Sequence, residues 1–140
     1  MAAFMVSAQT NKEEVDLMQA AFGMEKKAII AEFVQPTEMQ ADAFWQLYDE
    51  YETKRKELGL KRIGLLNQYA EKYMTMTDEE ADVWTKEVMK LSTSTDKLIK
   101  TYYKKIKKVT SATVATQFYQ IEGYILTGIR MEILDEIPFL

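Results

Sequence analysis

The 140-residue chain contains no cysteine and no histidine. The missing cysteine removes disulfides, thiolate nucleophiles and Cys-based zinc sites. The missing histidine removes the imidazole general base and the commonest transition-metal ligand. Carboxylates, lysines, tyrosines and hydroxyls remain, and no spacing among them points to a reaction, so neither an enzyme nor a bound cofactor is expected. Two prolines and five glycines are too few to punctuate many turns, which favours long helices. No apolar run reaches the length of about 18 residues that a membrane-crossing helix needs. A net charge of −4 and a pI near 5.0 argue against a dedicated nucleic-acid binder, which usually carries a basic excess.

Apolar residues make up 47% and charged residues 29% of the 16.3 kDa chain, a globular composition of single-domain size. Residues 9–140 read as one helical domain. Residues 1–8 stand apart: Ala2 to Val6 form a short apolar run, and Val6-Ser7-Ala8 before Gln9 fits a small-residue cleavage site. The segment reads either as the remnant of a secretory signal, which implies export, or as a mildly apolar N-terminus.

Period-two alternation is absent and helical periodicity dominates. A first helix is expected from about Asn11 to Phe33, with a capping box at Thr10 and Glu13 and a stop at Pro36. A second starts after Thr37 and runs to about Met74, with an apolar stripe through Phe44, Tyr48, Tyr51, Leu58, Leu65, Leu66 and Tyr69. Gly59 and Gly64 interrupt it, which predicts a bend or a close helix contact. A third helix begins at Thr77-Asp78-Glu79-Glu80 and carries Trp84, Val88, Leu91, Thr95, Leu98, Tyr102 and Ile106 at near-heptad spacing, the sign of an antiparallel pair. A fourth, capped at Thr110-Ser111, carries Val114, Phe118, Ile121, Ile125, Ile129 and Ile133, with Gly123 and Gly128 offering close approach. The fold is therefore all-α: four helices dominated by a long antiparallel hairpin of helices 2 and 3.

The heads of the two long helices share a pattern. Thr37 with Gln40, and Thr77 with Glu80, are capping boxes in which a side-chain oxygen serves the free N–H groups of the first turn. In context they read Pro36-Thr37-Glu38-Met39-Gln40 and Met76-Thr77-Asp78-Glu79-Glu80. The recurrence, with the four-helix layout and the export-like N-terminus, resembles the Spy/CpxP family of small periplasmic stress proteins, marked by two Leu-Thr-x-x-Gln motifs. The leading Leu is Pro in one copy and Met in the other, and the last Gln is Glu in the second. The resemblance implies a cradle-shaped antiparallel homodimer. It further implies an ATP-independent chaperone for unfolded or misfolded clients, or alternatively a sensor that modulates a signalling partner. Relatives that sense heavy metals use histidine with acidic or methionine ligands, and this chain has no histidine.

Three further features carry chemistry. Arg55 and Arg62 fall on the apolar stripe of helix 2, where a charge must pair or reach water; Glu122 on helix 4 is the candidate partner of Arg62. Lys97, Lys100, Lys104, Lys105, Lys107 and Lys108 crowd the last third of helix 3. They read as a client-gripping surface, as a contact for anionic lipid or nucleic acid, or as a solvated face complementing the helix dipole. Met74-x-Met76 offers soft sulfur ligands for an ion such as Cu(I), although turn and core methionines are the commoner explanation.

Overall fold

The computed structural model describes residues 25–140, and within them it is all-helical, with four helices and no strand. The helices are α1 (Lys26–Phe33), α2 (Glu38–Lys72), α3 (Asp78–Val109) and α4 (Ala112–Glu136). Residues 1–8 and the expected helix start at Asn11 lie outside the described residues.

Capping chemistry fixes the boundaries. At the head of α2, the Gln40 side-chain oxygen accepts from the Thr37 N–H at 3.1 Å. The Gln40 N–H bonds back to the Thr37 carbonyl at 2.9 Å. The Gln40 amide nitrogen also donates to the Thr110 carbonyl at 3.1 Å, tying the start of α2 to the turn between α3 and α4. At the head of α3, the Thr77 hydroxyl accepts from the Glu80 N–H at 3.2 Å, and Asp78, Glu79 and Glu80 complement the positive end of the helix. The Glu80 carboxylate accepts a hydrogen bond from the Thr77 hydroxyl at 3.2 Å and approaches Lys72 across the turn at 3.8 Å. Ser111 caps α4 through the Val114 N–H at 3.1 Å.

Helices α2 and α3, joined by residues 73–77, form the long antiparallel hairpin, and their mutual packing is the most extensive in the molecule. Helix α4 returns along α3, and α1 lies on α4. The core is aromatic. Phe44, Tyr48 and Tyr51 of α2, Tyr102 of α3 and Phe118 of α4 are all essentially inaccessible, with Tyr51 edge-on to Phe118 at 5.2 Å. The buried line of α3 is Leu91, Thr95, Ile99, Tyr102 and Ile106, with Ile99 in the place expected of Leu98, which is only half-buried; the stripe expected on α4 is buried from Val114 to Ile129.

The second half of α2 differs from expectation. Arg55, Gly59 and Ile63 occupy the buried positions there, whereas Leu58, Leu65 and Leu66 are only half-buried. Stepping by four from Tyr51 keeps these three on the core line, and the leucines fall to its sides. Close helix contact does not account for two of the glycines: a β-carbon placed at Gly64 or Gly123 would meet nothing within 4 Å.

Candidate functional site

Two features stand out once the helices are placed. The first is a buried ionic cluster. Lys26, at the first turn of α1, sits between Glu52 of α2 and Glu122 of α4. Its ammonium lies 2.7 Å from one Glu122 oxygen and 2.8 Å from the other, and it also donates to Glu52. Arg55 donates to Glu52 at 2.8 Å, from one helical turn away. Glu122 is fully buried, and Arg55 is 4% exposed. Charges this deep require partners, since an isolated buried ion costs several kcal/mol.

Burial pushes the Glu52 carboxyl up, but Lys26 and Arg55 together outweigh it and hold its pKa down at about 2. The Tyr48 and Tyr51 hydroxyls border the cluster. Burial, reinforced by the neighbouring carboxylates, pushes both well above the usual phenol range. The Tyr51 hydroxyl lies near Glu122 without meeting hydrogen-bond geometry, and neither hydroxyl has a hydrogen-bond partner among the described residues. The cluster therefore works as an internal clip that fixes α1 against α2 and α4.

Glu122 is engaged by Lys26 of α1, a partner that periodicity does not suggest. Arg62 lies one turn and more further along α2, on the wall of the second feature. Lys26 and Glu52 did not stand out in the sequence. Their available signals are short-range: Glu52 is three residues before Arg55, and Lys26 three before the buried Ile29.

The second feature is a groove of about 500 Å³ where α4 separates from the hairpin. Leu65 and Leu66 of α2, Val88 and Leu91 of α3, and Leu126 and Ile133 of α4 supply its apolar lining. Trp84 closes one end, its indole N–H donating to the Leu65 carbonyl at 2.8 Å and its ring 4.8 Å from Tyr69. Tyr69 in turn donates to the Pro138 carbonyl at 2.5 Å, which fixes the chain after α4 against α2. Arg62, Asp96, Lys100 and Arg130 supply the charged part of the lining, and Asp96, Lys100 and Arg130 are exposed. An apolar floor with a few charges at its edge, of this volume, is what a small-molecule or peptide site looks like. Val88 and Leu91 belong to the expected stripe of α3. Leu126 and Arg130 escape it because they sit beside the α4 core line.

The six lysines in the last third of α3, Lys97 to Lys108, are all exposed, and Lys100 alone of them lines the groove. Lys105 stands 4.9 Å above the Tyr102 ring, a cation–π contact shared with Lys54 of α2 at 5.5 Å. Thr37, Gln40, Thr77 and Glu80 serve helix ends and lie away from the groove lining. Among the described residues, no cluster of three or more acidic side chains is arranged to hold a metal ion, and no helix is long and apolar enough to cross a membrane. Met74 is 83% exposed in the hairpin turn. No family model, no curated protein and no solved structure matches the chain.

Proposed function

We propose that the protein is a binding module that holds partly unfolded protein segments without ATP, in the manner of the periplasmic stress chaperones its two Thr-x-x-Gln/Glu helix heads resemble. The observation that carries this reading is the groove between α2, α3 and α4: an apolar lining open to solvent with cations at its edge. Clients would dock apolar side chains against Leu66, Val88 and Leu126. Such contacts are adaptable and individually weak, which suits varied partners better than one precise ligand. On this reading the protein is exported and acts as a homodimer with a cradle-like surface. Exposed Met131, Leu134 and Phe139 at the far end of the chain support the pairing, because a second copy would cover them.

The test is light scattering from a chemically unfolded model enzyme diluted into buffer, without ATP, at equal molar amounts of this protein. Suppression of scattering that is indifferent to added copper or zinc is expected. Leu126→Glu should reduce suppression severalfold while leaving the far-UV circular dichroism intact. Unchanged scattering at all ratios sinks the chaperone reading. Suppression that Leu126→Glu leaves untouched removes the groove from it.

A further inference from the structure

The lysine face of α3 is a second surface, and its charge is more unusual than that of the groove. From Lys97 to Val109 the chain has six lysines and no acidic residue. On a helix of 3.6 residues per turn these lysines fan over an arc of roughly 160° and a length of roughly 17 Å. The arc is centred opposite the buried line of Ile99, Tyr102 and Ile106, so the whole outward face of this part of α3 is cationic. No ion pair joins any of the six to another described residue. Helix-dipole compensation accounts only for the last turn, where Lys107 and Lys108 sit; Lys97 and Lys100 lie too far from the helix end.

Setting these six aside takes the chain from −4 to −10, so the protein is electrically two-faced. Beyond a Debye length of about 8 Å at physiological salt, the acidic remainder does not cancel the field of this face. A plane of negative charge therefore meets concentrated attraction at this face, which orients the molecule. A long anionic polymer would also meet the acidic remainder. The face carries lysines but no arginine, and its nearest rings are engaged: Tyr102 is buried under Lys54 and Lys105, and Tyr103 packs edge-on against Tyr119 at 6.2 Å. Nucleic-acid surfaces rely instead on stacking rings and planar guanidinium groups. Lysine point charges without stacking partners suit phosphate-bearing lipid head groups, where each adds an increment near the surface.

We infer that the outward face of α3 over Lys97–Lys108 docks the protein reversibly on an anionic lipid bilayer, with the lysines in the head-group layer and no helix inserted. This inference is independent of the client-holding role of the groove. Each lysine lost should lower partitioning about fivefold at low salt, so the triple variant Lys100→Gln, Lys104→Gln, Lys107→Gln should lower it roughly a hundredfold. The corresponding triple Lys→Arg variant should bind like the parent.

The experiment is co-sedimentation of the full chain with large unilamellar vesicles, at 50, 150 and 500 mM salt. One set is phosphatidylcholine alone, the other contains an equal part of phosphatidylglycerol. Binding to the anionic vesicles that fades with salt, is absent with phosphatidylcholine and is lost in the Gln variant supports the proposal. Failure of millimolar inorganic phosphate to displace the protein identifies the lipid surface, not free phosphate, as the ligand. No binding to anionic vesicles at 50 mM salt overturns it, as does equal binding to both vesicle types. Tighter binding to a double-stranded DNA or RNA oligonucleotide at equal phosphate concentration overturns it in favour of a polyanion site. Thermal melts of the variants, expected to match the parent because all three lysines are exposed, guard against misfolding.

Discussion

Replacing Lys26 by Met is the sharpest perturbation of the ionic clip. Methionine keeps most of the aliphatic stem and removes the charge. Glu122, with no side-chain exposure, then loses the ammonium that lies within 2.8 Å of both its oxygens, while Glu52 retains Arg55. Removing one partner of a buried pair typically costs about 3–5 kcal/mol, because the other charge stays behind unpaired. Adding Glu122→Gln to Lys26→Met removes that stranded charge and should recover about 2 kcal/mol or more. The double variant would thus be more stable than Lys26→Met alone. Urea denaturation followed by circular dichroism gives each midpoint, and an unchanged slope licenses the comparison. Effects that add to within about 0.5 kcal/mol would refute the reasoning, since independent sites behave that way and members of one ionic cluster do not.

Glu52 predicts an acid limb. Its folded pKa of about 2 lies below its ordinary value of 4.5, so its contribution is present above pH 4.5 and is lost as the pH falls from there towards 2. The full loss is about 3 kcal/mol on the relation between pKa and stability, and Glu52→Gln should flatten the pH dependence of the urea midpoint over that window. Gly64→Ala and Gly123→Ala should each stabilise by roughly 0.4–1 kcal/mol, because the helix gains and the added methyl meets nothing. A loss at either position would show that the space there is not open. Thr77→Ala should cost about 1 kcal/mol in thermal or urea melts through the Glu80 N–H it leaves uncapped, and Thr77→Ser should restore most of it.

What the sequence made legible was local. The three long helices, their caps and the core lines of α3 and α4 follow from spacings of three and four residues and from Thr77 and Ser111, all of which act within one turn; α1 departs from the expected continuous helix up to Phe33, because Glu25 is extended and the helix starts only at Lys26. The ionic clip was not legible, because Lys26 and Glu122 are 96 residues apart and any of several acidic residues on α4 or α2 was an equal candidate on periodicity alone. The core line of α2 runs through Arg55, Gly59 and Ile63, beside the leucine stripe that periodicity suggests, and Arg62 lines the groove. The groove itself depends on how far α4 departs from the hairpin, a property of three helices together that no single stripe encodes.

The distribution of the core explains why the groove falls where it does. The clip and the aromatic cluster of Phe44, Tyr48, Tyr51, Tyr102 and Phe118 lie at the end of the bundle where α1 is present. Towards the hairpin turn, the buried side chains thin out to Ile63, Tyr69, Leu91 and Ile129, and Trp84 and Leu126 are only partly covered. A bundle packed this way has one end held by buried charges and interlocked rings, and another held mainly by the α2–α3 hairpin and the Tyr69–Pro138 contact. Binding surfaces draw on the weakly packed parts of a fold, because a partner gains by covering apolar area that the chain itself has left partly wet. The clip ties α1 to α2 and α4 at the packed end, and the groove lies further along the same bundle, where α2, α3 and α4 leave apolar side chains partly exposed.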